Sequence, residues 1–113
     1  MANTFKIDTK SSVSNSGTGS SATTVVTAGG SATLVILSIL IANKTAASAQ
    51  ADVFINKNSG DDVFLIKNAP VPAGSSLEII SGSKIILESS DLLRINSGTA
   101  SALDAAVSYL EQT

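Results

Sequence analysis

The sequence predicts an all-β chain, a two-sheet antiparallel β-sandwich of jelly-roll or immunoglobulin-like type with about eight strands. Three observations predict it. Residues 69–94, APVPAGSSLEIISGSKIILESSDLLR, set short apolar runs between a Pro-Val-Pro entry, an Ala-Gly turn and a Ser-Gly-Ser turn. That is the spacing of closely placed antiparallel strands. The runs TTVVT and LVILSILI are rich in β-branched residues, which favour pleated backbone. No segment offers a compelling helix. Each strand must bury one face, so two apposed sheets are the natural solution.

The elements follow in order. Residues 4–8 read as a short edge strand, and 11–24, SSVSNSGTGSSATT, as a flexible loop or arm. Residues 23–27 form a strand that Ala28-Gly29-Gly30 breaks. In 31–42 the apolar residues do not alternate with polar ones, so a core strand covered on both faces is expected. A loop, 43–49, leads to 51–56, where Ala51, Val53 and Ile55 share one face. A turn over 57–61 and a return strand over 62–67 make a hairpin. Pro70 and Pro72 lack the N–H a ladder needs, which predicts an extended, unpaired segment at a sheet edge or crossover. Short strands at 77–80 and 84–88 flank Ser81-Gly82-Ser83, and another at 92–96 follows the Ser89-Ser90-Asp91 turn. Residues 101–111 contain good helix formers with Ser101 as a cap. Yet Leu103, Ala105, Val107 and Tyr109 alternate against Asp104, Ala106, Ser108 and Leu110, and the sheet context favours a closing strand. The expected organisation is one domain, with 1–30 as N-terminal strand and arm and 31–113 as the sandwich core.

Composition narrows the function. Of 113 residues only 14% are charged, against about 25% in typical domains. The surface is therefore largely Ser, Thr, Asn, Gly and Ala, which suits a protein packed against neighbours and equally a secreted or particle-bound one. The seven basic residues (Lys6, Lys10, Lys44, Lys57, Lys67, Lys84, Arg94) are scattered and the net charge is −2. No basic face for nucleic acid is expected. With no cysteine there is no disulfide. The longest apolar run, 34–41, is far below the roughly 20 residues a spanning helix needs. The first ten residues, MANTFKIDTK, lack the apolar stretch of a signal peptide. A soluble protein made in the cytoplasm is expected.

The chemistry points away from catalysis. The chain has no histidine to activate its many serines, and no motif places a serine beside Lys67 or Lys84 for a Ser–Lys pair. Asp61 and Asp62 are adjacent, so on a strand they face opposite sides. With Asn56 and Asn58 they form a calcium candidate, short of a full calcium-loop pattern. The glycines make no phosphate-binding fingerprint. Phe5, Phe54, Phe64 and Tyr109 are too few and scattered for a sugar platform, and Phe54 and Phe64 flank one hairpin as core or interface residues. No catalytic or cofactor-binding residue is assigned, no cofactor is implied, and the protein reads as a non-enzyme.

The segments Leu65-Ile66-Lys67-Asn68-Ala69, Val71-Pro72-Ala73-Gly74-Ser75-Ser76-Leu77, Lys84-Ile85-Ile86-Leu87-Glu88, Asp91-Leu92-Leu93-Arg94 and Ser108-Tyr109-Leu110-Glu111 resemble small virion proteins of tailed bacteriophages, including those of cyanobacterial phages. Leu37-Ser38-Ile39-Leu40-Ile41-Ala42-Asn43 also fits. The resemblance covers about 31–113. It implies an accessory structural β-sandwich present in many copies on the virion, as capsid decoration or cement foremost and in the neck or tail next. The implied partners are the chain itself, as a homo-oligomer with a trimer among the options, and other virion proteins such as the major capsid or tail protein. No nucleic acid and no membrane is implied. The expected location is the virion, after synthesis in the host cytoplasm. The alternative is a ligand-binding or host-surface adhesin module on the same fold, which would need exposed aromatics or a calcium-assisted site.

Overall fold

A computed structural model of the chain describes residues 3–15, 17, 22–58, 60–80 and 84–113. The described residues form nine strands: β1 (Asn3–Lys10), β2 (Thr23–Thr27), β3 (Thr33–Asn43), β4 (Ala49–Asn56), β5 (Asp62–Val71), β6 (Ser76–Glu78), β7 (Ile85–Leu87), β8 (Leu92–Ser97) and β9 (Leu103–Gln112). All pairings are antiparallel. β1 pairs with β9, β2 with β8, β3 with β6 and β7, and β4 with β5. These pairs nest like one long hairpin whose tip is the β4–β5 turn. The hairpin is then rolled up, so that β3 also docks on β9 and β4 on β8. Two sheets result, β1-β9-β3 continued by β6 and β7, and β2-β8-β4-β5. This winding is the jelly roll, the first of the two sandwich types expected.

The inward faces of both sheets make one core. β3 supplies Leu34, Ile36, Ile39 and Ile41, β4 supplies Ala51, Val53 and Ile55 as expected, and β8 supplies Leu93 and Ile95. A bulge between Ile36 and Ser38 keeps both halves of β3 facing inward. The closing segment is a strand, and Leu103, Ala105, Val107 and Tyr109 are its buried face. Lying between β1 and β3, it has a ladder on each side, and that context outweighs its helix-forming residues.

Three sequence expectations need correction. First, β6 and β7 are not neighbours in a ladder. β6 pairs with Leu40–Ala42 and β7 with Leu34–Ile36, so they lie end to end along β3 as one interrupted edge strand. The turn expected at 81–83 lies outside the described residues. Second, Pro70 is within the ladder, opposite Gln50. β5 is an edge strand, so the missing N–H of Pro70 leaves no gap in the sheet. The following turn closes with Ser75 N donating to Pro72 O at 3.1 Å, and Gly74 takes the left-handed conformation it requires. Third, residue 30 is not a boundary of the core. β1 and β2 enter different sheets, and Val13, Val25 and Val26 are buried in the common core.

Val13 is the anchor of the segment expected to be a loose arm, of which 16 and 18–21 lie outside the described residues. Its N–H donates to Leu103 O at 2.8 Å and its carbonyl accepts from Ser101 N at 3.1 Å. Val13→Ala is expected to cost about 2 kcal/mol, the loss of two buried methyl groups plus the gap they leave. Urea unfolding of the two proteins checks it.

Tyr109 joins the core to the edge strand. Its ring is buried and its hydroxyl donates to Asp8 Oδ2 at 2.9 Å. Burial, seconded by the Asp8 carboxylate, pushes its pKa up to about 12 from 10.0. The folded state thus holds this proton more tightly than the unfolded chain. Its contribution to stability is complete below pH 10, and is lost as pH rises through the interval to about 12. The chain has one tyrosine, so phenolate absorbance should show a single step near pH 12. A step near 10 in the folded protein contradicts the burial.

Candidate interaction surface

The expectation that β3 is covered on both faces is met on one. Its inward residues are sealed, whereas Val35 is half-buried and Leu40 is 39% exposed on the outer face. The register shows what stands beside them. Phe5 on β1 is opposite Leu110 on β9, Leu110 is opposite Val35 on β3, and Val35 is opposite Ile86 on β7. Side chains directly opposite in antiparallel strands share a face. An apolar row therefore crosses four strands, a span of about 15 Å. Phe5 is 77% exposed and Ile86 48%. The next row starts at Ile7, 60% exposed, and continues through Ser108 and Ser38. Phe5, Ile7, Leu40 and Ile86 together leave on the order of 400 Å² of apolar side chain in contact with water, the size of the largest patch on a typical monomer, which is often functional.

Beside the rows lies a trough of about 650 Å³, lined by Thr9, Leu40, Ala42, Asp104 and Ala106 among others. It exists because β9 presents the small side chain of Ala106 outward between Thr9 on β1 and Leu40 on β3. Asp104 closes one end. It accepts from Ser12 N at 2.8 Å and pairs with Lys44 Nζ at 2.9 Å. The Ser12 amide, then Lys44, hold its carboxyl below the ordinary aspartate range.

The outer face of the other sheet differs. Phe54 points away from the core, yet is fully buried. Phe64 on β5 stacks against it at 5.0 Å, and Lys67 Nζ lies 4.8 Å from the Phe64 ring centre. Arg94 faces Phe54 from β8 and donates through Nε to Thr24 Oγ1. Asp52 accepts from Asn68 N at 2.6 Å and Asn96 Nδ2 at 3.2 Å, which fixes the bulge in β5 where Asn68 adopts a positive φ. This sheet covers Phe54 fully and leaves Phe64 37% exposed, whereas Phe5 on the β1-β9-β3 sheet is 77% exposed. Phe54 and Phe64 are thus mates across one hairpin, as their spacing suggested.

The calcium candidate assembles in part. Asn56 Nδ2 donates to Asp62 Oδ1 at 2.9 Å and to Gly60 O at 3.2 Å. An amide N–H therefore occupies the Asp62 oxygen. Asn58 is exposed at the turn with φ 46°, and Asp61 is exposed and closes the turn by accepting from Lys57 N at 3.0 Å through its carbonyl. Lys57 reaches out of this turn to Glu88 Oε1 at 3.1 Å and Asp91 Oδ2 at 2.6 Å. Among the described residues no group of three or more His, Cys, Asp or Glu is placed to hold a metal ion.

The residues of the apolar face were not singled out from the sequence. The available signal was the run 34–41, apolar but for Ser38, which announces two apolar faces on a strand that the chain has enough material to cover only once. No protein-family model matches the chain, and no curated protein matches it.

Proposed function

We propose that this chain is a non-enzymatic structural protein of a phage particle, docking in many copies on the virion, with capsid decoration its foremost role and the neck or tail next. The row Phe5–Leu110–Val35–Ile86 carries the reading. A folded sandwich that leaves this face open has an apolar surface of the size a docking partner covers. The low charge of the chain leaves little desolvation cost against such a contact. The resemblance over 31–113 to small phage virion proteins supplies the particle. The jelly roll agrees in kind, since viral capsid domains use it, although lectins and other proteins do too.

Mass spectrometry of purified particles is the test, with many copies per portal expected. Absence from particles overturns the reading. So does glycan binding that requires calcium and disappears with Asp61→Ala and Asp62→Ala, which is the behaviour of an adhesin module. A finer check uses Ile86→Asp. The side chain is half out of the fold already, so stability should change by no more than about 1 kcal/mol, while occupancy on the particle should fall severalfold.

A further inference from the structure

We propose that β1 pairs edge to edge with β1 of a second copy, antiparallel, about a two-fold axis through Ile7. The inference rests on the homo-oligomer that the resemblance to phage virion proteins implies, and adds the edge and the register.

The edges of the two sheets are not alike. β2 has five residues and a register shift between Thr24 and Val26. β5 is twice shifted against β4 and contains Pro70. β6 and β7 have three residues each. Short length, irregular register and proline are the usual ways a sheet edge is kept from recruiting another strand. β1 has none of these three; of a further device, charge, it carries Lys6, Asp8 and Lys10, whose opposite signs a suitable register can pair. It runs eight residues in unshifted register with β9, from Asn3 opposite Gln112 to Lys10 opposite Ala105, without glycine or proline. Seven of its eight residues are exposed, Asp8 alone being half-buried. Its far side is a row of backbone donors and acceptors with apolar side chains beside it.

Its charges select the partner and the register. In an antiparallel pair centred on Ile7, residues whose numbers sum to 14 are opposite. Lys6 then faces Asp8 of the second copy, Asp8 faces its Lys6, Ile7 meets Ile7, Phe5 lies beside Thr9, and residues 4–10 are all paired. Opposite charges facing one another stabilise a cross-strand pair and like charges destabilise it. Centring on Lys6 would set Lys6 against Lys6. Centring on Asp8 would set Asp8 against Asp8 and Lys6 against Lys10. Centring on Phe5 would pair only residues 3–7. The side chain of Lys6 already salts to Glu111 of its own chain at 2.8 Å, so it is held at this edge. The pairing joins two copies of the apolar face into one, leaving Phe5 and Ile86 outward for the particle. The interface is small, so a monomer–dimer equilibrium with Kd on the order of micromolar is expected.

Single-cysteine variants test the register, because the chain has no cysteine. Opposed residues bring their Cβ atoms within disulfide reach. Under mild oxidation at micromolar concentration, Ile7→Cys should form a covalent dimer about tenfold faster than Phe5→Cys or Thr9→Cys alone. An equal mixture of Phe5→Cys and Thr9→Cys should cross-link as a heterodimer. Each variant is first shown by circular dichroism to keep the sandwich. A wild-type chain that sediments as a monomer up to hundreds of micromolar overturns both the pairing and the self-association it rests on. Association of the wild type without preference for Ile7→Cys overturns the edge and register alone. Absence from phage particles bears only on the virion reading.

Discussion

Ile39→Ala is expected to lower stability by about 3 kcal/mol, and Leu40→Ala, one residue along the same strand, by about 1 kcal/mol or less. Both remove similar mass from β3. Ile39 is fully buried between the sheets, and its deletion leaves a void that the pleated backbone on either side cannot close. Leu40 points to the outer face, where water already reaches it, so truncation removes only part of a side chain's burial. Against a total of about 5–15 kcal/mol for such a domain, the first change is severe and the second is slight. Urea midpoints at constant m-value measure the difference. Equal losses would mean that β3 is covered on both sides and that the outer face is not a free surface.

Asp91→Ala is expected to cost about 3 kcal/mol. The carboxylate is 1% exposed and organises the crossing from β7 to β8. Its Oδ2 accepts from Glu88 N at 2.9 Å and faces Lys57 Nζ at 2.6 Å. Its backbone N–H donates to Glu88 O, and its carbonyl accepts from Ala28 N, tying the turn to the end of β2. Ser90, inside the turn, sits at φ 71°, a strained position for a residue with a side chain. Alanine leaves the Glu88 amide without an acceptor at a site with little room for water. Lys57→Met should cost less, because the Asp91 carboxylate keeps the Glu88 N–H and the turn it closes, and only the contact to an ammonium already 42% exposed is lost. The hydrogen bond to Asp91, then that to Glu88, raise the Lys57 pKa. Its contribution is therefore complete below the ordinary lysine range and is lost only as pH climbs through the raised value. Denaturant unfolding of the three proteins orders the losses. A Lys57→Met loss as large as that of Asp91→Ala would place the energy in the ion pair and not in the turn.

Much of this architecture can be read from the residues. TTVVT is β2 to the residue, because five β-branched side chains ended by Ala28-Gly29-Gly30 leave little choice. ADVFIN and DVFLIK form the β4–β5 hairpin, since the alternation of the first and a glycine-bearing turn specify the reversal, while the two register shifts between the strands leave no mark in the sequence. Other features depend on partners distant in sequence. Val13 is one apolar residue in a serine-rich stretch, and only the backbone of Leu103 and Ser101 makes it a core residue. β6 and β7 resemble a hairpin locally, yet each finds a better ladder on β3. The apolar face could not be located, because it is assembled from four strands drawn from both ends of the chain, and no single segment carries more than two or three of its residues.

The nested pairing has a consequence for biosynthesis. Among the described residues β1 ladders with β9 alone, so residues 3–10 wait for residues 103–112. Until residues 103–112 have left the ribosome, β3 too lacks its central neighbour, and the run LVILSILI is without its sheet. Contacts this remote in sequence close slowly, and an unpaired apolar strand is prone to capture by its equals in the meantime. Folding of this sandwich therefore waits on the synthesis of β9, and its yield should fall with the local density of nascent copies.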